Sequence, residues 1–101
     1  MTNNDFQIDF TDNSLDQLNQ IKSDPTKRGV AKAISKSIGL MCSNLRHPSL
    51  HTHKYDNLRG PNNEEVFESY AQNKTPGAYR IFWYYGPGRK RITVLEICPH
   101  P

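Results

Sequence analysis

Apolar and polar residues alternate near the start of the chain. Phe6, Ile8 and Phe10 are separated by Gln7 and Asp9, and a period of two predicts a short strand with one buried face. The period then lengthens. Leu15, Leu18 and Ile21 recur at helical spacing behind the capping side chains of Thr11 to Ser14, which predicts a short helix ending at Ser23-Asp24-Pro25. Asp24 can cap a second helix, and Pro25 suits its first position, where the missing N–H would be unpaired anyway. Val30, Ile34, Ile38, Met41 and Leu45 form one stripe along that helix. It should pack by this stripe and close at His47-Pro48. Lys27, Lys32 and Lys36 fall off the stripe.

Residues 46–64 are rich in His, Asn, Gly and Pro and read as a long loop, the kind that often carries function. Three strands follow: Val66 to Ala71, Ala78 to Tyr85 and Arg91 to Cys98. Turns at Asn73 to Gly77 and Gly86-Pro87-Gly88 join them, so they run antiparallel. The predicted order is β-α-α-β-β-β. A helical hairpin must cover one sheet face, which makes an α+β fold of two layers.

The side chains can be assigned to faces. With the first hairpin centred near Lys74, Glu68 lies opposite Arg80 and Tyr70 lies near Ala78. Alternation then puts Phe67, Tyr79, Ile81, Trp83 and Tyr85 on the face against the helices. Glu68, Tyr70, Arg80 and Tyr84 share the other face, which should be open. Such a face suits a phosphate-bearing ligand. The plainer reading of Glu68 and Arg80 is a surface ion pair worth under ~1 kcal/mol.

Length and charge narrow the classes. At 101 residues the chain is read as one domain, 1–101, whose core draws heavily on aromatics in Phe6 to Phe10 and Tyr55 to Tyr85. The net charge is only +3, which permits a polyanionic partner without requiring one. The distribution says more. Residues 22–60 hold eight Lys and Arg against Asp24 and Asp56, and three of the four histidines. Cys42 and Cys98 have no paired spacing and read as free thiols, which fits a reducing cytoplasm. No apolar run is long enough to span a membrane, and the first residues do not form a secretory signal. His51 and His53 have a spacing seen in metal sites, but no third ligand accompanies them. Neither a metal nor a cofactor is expected.

Four stretches taken in order resemble one family. They are Leu50-His51-Thr52-His53-Lys54-Tyr55, Val66-Phe67-Glu68-Ser69-Tyr70, Thr75 to Trp83 with its Tyr79-Arg80-Ile81 core, and Ile97-Cys98-Pro99-His100-Pro101. Together with the element order they resemble a RelE-like branch of the RelE/ParE toxin superfamily, across Phe6 to Pro101. The resemblance implies a toxin of a type II toxin–antitoxin system, neutralised by a cognate antitoxin in a hetero-oligomer. RelE-type members cut messenger RNA on the ribosome without a metal. ParE-type members inhibit DNA gyrase on the same fold, and a third possibility is a regulatory member that binds only its antitoxin and DNA.

Metal-free RNA cleavage needs a base for the 2′-hydroxyl, a cation for the phosphorus centre, an acid for the departing 5′-oxygen, and a surface that orients the strand. Arg80 is the candidate cation, matching the Arg of the family's Tyr-Arg strand. His100 matches a position that is often His or Arg in the family, and is the candidate acid. His51 or His53 is the candidate base, one of the two being expected to bond loop backbone instead. Glu68 is an alternative base or an orienting partner for Arg80. Lys54 is a candidate phosphate ligand, Tyr55, Tyr70 and Tyr84 are candidate stacking platforms, and Lys32 and Lys36 are candidate contacts to RNA. His47 reads as a helix-end residue and Trp83 as core.

Overall fold

The computed structural model describes residues 5–100. Among these, strand β1 (Gln7–Phe10) leads into helix α1 (Asp12–Ser23). A 3-10 turn follows at Pro25–Lys27, then helix α2 (Arg28–Ser43) and a second 3-10 turn at Pro48–Leu50. Strands β2 (His53–Arg59), β3 (Glu65–Tyr70), β4 (Tyr79–Tyr85) and β5 (Arg91–Pro99) complete the order. The five strands make one sheet in the order β1-β5-β4-β3-β2, with β1 parallel to β5 and the other pairs antiparallel. This is the α+β, two-layer arrangement expected. No helix among the described residues is long and apolar enough to cross a membrane.

The helix boundaries follow local chemistry. Thr11 caps α1 by accepting the Ser14 N–H at 3.1 Å, and Asp24 accepts the Thr26 N–H at 2.9 Å ahead of α2. α2 ends at Ser43, short of the His47-Pro48 stop, with Asn44 N–H still donating to Leu40. Ile34 and Met41 are wholly buried, and Val30, Ile38 and Leu45 pack beside them. In α1, Leu18 and Ile21 are buried, but Leu15 is exposed. Ser14 takes the inward position because its hydroxyl donates to the Val94 carbonyl at 2.7 Å. The core joins these helix residues to Ile81, Trp83, Ile92, Val94 and Ile97.

β1 stops at Phe10, opposite Val94, while β5 runs on to Pro99. The exposed stretch of β5 is satisfied by side chains of α1 and its cap. Thr11 Oγ1 and Asn13 Nδ2 donate to the Leu95 carbonyl, and Gln17 Oε1 accepts the Ile97 N–H at 2.7 Å. Leu95 lies where the β4–β5 register shifts. The helix thus covers both the core and an otherwise unpaired strand edge.

Two sequence expectations need correction. Residues 46–64 are not all loop, because His53–Arg59 forms the edge strand β2. The β3–β4 register also differs by two residues from the one centred near Lys74. Tyr70 faces Arg80, and Glu68 faces Phe82. A shift of two preserves the faces, so Glu68, Tyr70 and Arg80 remain together on the side away from the helices.

Candidate functional site

The sheet face opposite the helices is not open as expected. Glu68, Arg80, Phe82, Tyr84 and Thr93 are each at most 6% exposed. Rings from β2 and β3 supply part of the cover. The Tyr55 ring lies 4.7 Å from that of Phe82, and the Arg80 guanidinium carbon lies 3.5 Å from the centre of the Tyr70 ring. That spacing is a close cation–π contact. Tyr84 is therefore buried and presents no stacking platform here, whereas Tyr55 and Tyr70 stay half-buried.

Arg80 is held from three sides. Its Nη1 donates to the Gln72 carbonyl at 2.6 Å and to the Tyr79 carbonyl at 3.3 Å. Its Nε faces Glu68 Oε2 at 3.9 Å, and neither of these buried atoms has a hydrogen-bond partner. The other Glu68 oxygen, Oε1, meets His53 Nε2 at 2.7 Å. The carboxylate thus lies buried between an imidazole and a guanidinium, where the low dielectric makes both neighbours matter.

His53 has both ring nitrogens engaged. Nδ1 lies 2.7 Å from the His51 carbonyl oxygen. A carbonyl can only accept, so Nδ1 carries a hydrogen. The ring remains about half exposed. His51 differs from it. Its backbone is left-handed, with φ 47°, and its ring lies 4.8 Å from that of Tyr70 at a tilt of 31°. His51, Tyr70 and Arg80 therefore form a three-layer stack from solvent inward.

The loop that carries the two histidines is tied to the core. Trp83 Nε1 donates to Ser69 Oγ at 2.8 Å, and Ser69 Oγ bonds Thr52 Oγ1 at 2.8 Å. A buried indole N–H needs such a partner, and here that partner also fastens the residue between His51 and His53. Ser37 on α2 donates to the Tyr70 carbonyl and fixes the end of β3. Sequence reasoning did not single out Thr52, Ser69 or Gln72. The available signal was Ser69 itself, a polar residue two positions from Phe67 on the same core face.

The remaining candidates are spread more widely. His100 is exposed, and its N–H donates to the Ala78 carbonyl at 2.8 Å, which continues the β4–β5 ladder. Cys98 faces Arg80 across that ladder, so alternation carries His100 to the Arg80 side. Lys54 is exposed and pairs with Glu65 at 3.3 Å. Lys32 and Lys36 lie on α2, on the helical layer, and the structure does not bring them to the histidine cluster. Burial raises the Cys98 thiol above its ordinary value, and the charges of Glu96 and Glu68 add to that. A groove of about 1020 Å³ beside His51 is lined by Phe6, Leu45, Arg46, His47, Pro48 and Tyr85 among others. Among the described residues no three His, Cys, Asp or Glu side chains converge as metal ligands would.

No protein-family model matches the sequence, and no curated protein matches it. Solved structures do match the fold. The archaeal RelE–RelB complex from Pyrococcus horikoshii OT3 contains a chain that aligns with a TM-score of 0.61 and 14% identity, over 93% of each chain. The YoeB/ParE toxin from Agrobacterium tumefaciens aligns with a TM-score of 0.61 and 13% identity, over 95% of this chain and 100% of that one. The YoeB dimer from Staphylococcus aureus gives 0.60 and 14%, over 95% and 97%. The chain shares its fold with these RelE and YoeB/ParE toxin structures.

Proposed function

We propose that this chain is the toxin of a toxin–antitoxin pair and that it cleaves messenger RNA without a metal. The observation that carries this reading is the stack of His51 on Tyr70 on Arg80, flanked by His53 and Glu68, at one end of the sheet. Imidazoles at a surface above a permanent buried cation match what cleavage by the 2′-hydroxyl requires. The 2′-hydroxyl proton passes to an imidazole of the loop as the 2′-oxygen bonds to phosphorus. The phosphorus–O5′ bond breaks, and the 5′-oxygen takes a proton from His100. The products are a 2′,3′-cyclic phosphate and a 5′-hydroxyl.

In this reading Arg80 acts from beneath Tyr70 rather than as an exposed clamp, while Lys54, which pairs with Phe67, lies on the other face of the sheet. Tyr55 and Tyr70 offer the half-buried rings that a base would meet. The fold shared with a RelE chain solved alongside RelB supports a cognate antitoxin as partner. Covering the histidine end of the sheet would silence the activity. Residues 1–101 act as one unit on cytoplasmic message, on the ribosome or free.

The test is cleavage of a defined transcript, alone and on stalled ribosomes, by the purified chain in the presence of EDTA. Cyclic-phosphate ends, and protection by one 2′-deoxy substitution at the cut, are the expected result. Intact RNA in both formats, with gyrase supercoiling blocked instead, would replace this reading by the gyrase-inhibiting one.

A further inference from the structure

The two loop histidines differ in what their nitrogens are free to do. We infer that His51 is the imidazole that accepts the 2′-hydroxyl proton, and that His53 and Glu68 are positioning residues that aim it. The inference rests on the RNA-cleaving reading and assigns roles within that site.

His53 Nδ1 donates to the His51 carbonyl, and its Nε2 sits 2.7 Å from Glu68 Oε1. With both nitrogens engaged, the ring has no lone pair to offer a substrate, although its edge reaches solvent. The nitrogens of His51 make no hydrogen bond to another described residue. The ring is exposed and fixed only by its face, against Tyr70. Of the two, only His51 has a nitrogen available for proton transfer.

The backbone at His51 is held in an unusual conformation. A left-handed conformation is costly for a residue with a Cβ, and it persists where surrounding contacts hold it. The contact that holds His51 (φ 47°, ψ 38°) at its carbonyl is the bond from His53. His53 is held in turn by Glu68, whose side chain is 5% exposed and cannot swing out to solvent. Thr52, between the histidines, is fastened to Ser69. A chain of contacts thus runs from a buried carboxylate to the direction of the His51 ring. The charged and titratable groups around that ring are Tyr70 beneath it, His53 through the carbonyl, and Arg46, His47 and Tyr85 along the groove.

Three measurements test the assignment. In the first, His51→Gly should lower kcat by about 100-fold or more with little change in KM, within the range for a lost general base. Glycine adopts the left-handed backbone freely, so the fold should be kept, and free imidazole in the space the ring leaves should restore part of the activity. In the second, His53→Asn retains a donor for the His51 carbonyl and should keep far more activity than His53→Leu. Its pH–rate profile should keep its shape. The third needs no turnover. Diethyl pyrocarbonate should modify His51 of the folded wild-type chain well before His53, read by peptide mass spectrometry.

Faster modification of His53, or His53→Asn as inactive as His53→Leu while both remain folded, would overturn the assignment. So would full activity in His51→Gly. If the wild-type chain cuts no RNA, the proposed function fails. The modification order then still decides whether His51 is the free imidazole and His53 the engaged one.

Discussion

Replacing Ser69 by Ala removes one oxygen from a position with no solvent exposure, yet the consequences should be large. Ser69 Oγ is the acceptor for the N–H of Trp83, which is itself fully buried, and it is bonded to Thr52 Oγ1. No water can replace it without opening the core. The orphaned indole N–H then costs about 1–3 kcal/mol. Thr52 is half-buried and can turn toward solvent, so it adds little. Each kcal/mol should lower the melting temperature by roughly 4–8 °C in a chain of this size.

A double-mutant cycle isolates the cause. Trp83→Phe has no N–H to orphan, so Ser69→Ala should cost much less in that background. The expected coupling is ~0.5–3 kcal/mol. Urea unfolding followed by far-ultraviolet circular dichroism suits all four proteins, because it does not rely on the fluorescence of the one tryptophan. Equal costs of Ser69→Ala in both backgrounds would show that the hydroxyl is not serving the indole.

Arg80→Met should destabilise the fold by about 3–5 kcal/mol, because it leaves the Glu68 carboxylate buried without its cation. Adding Glu68→Gln should recover part of that loss in denaturant titrations, and additive losses would refute the pairing. The Cys98 thiol, raised first by burial and then by Glu96 and Glu68, should label with iodoacetamide at a higher midpoint pH in the folded chain than in urea. Glu68→Gln should lower that midpoint, as read by mass spectrometry. Because the folded thiol holds its proton more tightly, its stabilising effect is complete below the unfolded thiol's pKa and is lost as pH rises through the folded value.

Much of this architecture was legible in the pattern of residues. Both helical stripes and the three C-terminal strands announce themselves through period, and Ile34, Met41, Ile81 and Trp83 lie where the pattern puts them. β2 was illegible for a physical reason. It is an edge strand with an irregular register, and only Tyr55 and Leu58 are half-buried, three residues apart rather than two. No alternation survives to be read. Register was equally hidden, because a two-residue shift leaves every side chain on its own face. Composition also misjudged exposure. Glu68 and Arg80 look like surface residues by type, and only the folded chain reveals Tyr70 across the guanidinium and His53 across the carboxylate. The grouping of His51, His53, Glu68, Tyr70 and Arg80 was within reach, but the division of labour between the histidines depends on a left-handed backbone and a carbonyl that no residue pattern encodes.

The place of β5 between β1 and β4 has a consequence for how the protein comes into being. During synthesis β1, α1 and α2 leave the ribosome first, yet β5, which pairs with β1 and packs on α1, is made after them. Until residues 91–99 have emerged, β1 has no strand partner, and the inward face of α1 lacks the strand it packs on. Such long-range pairing makes assembly slow and cooperative. The histidine corner therefore gains its final geometry only with the closing strand, and a nascent chain cut short before that strand would carry every loop residue of the site without the scaffold that aims them.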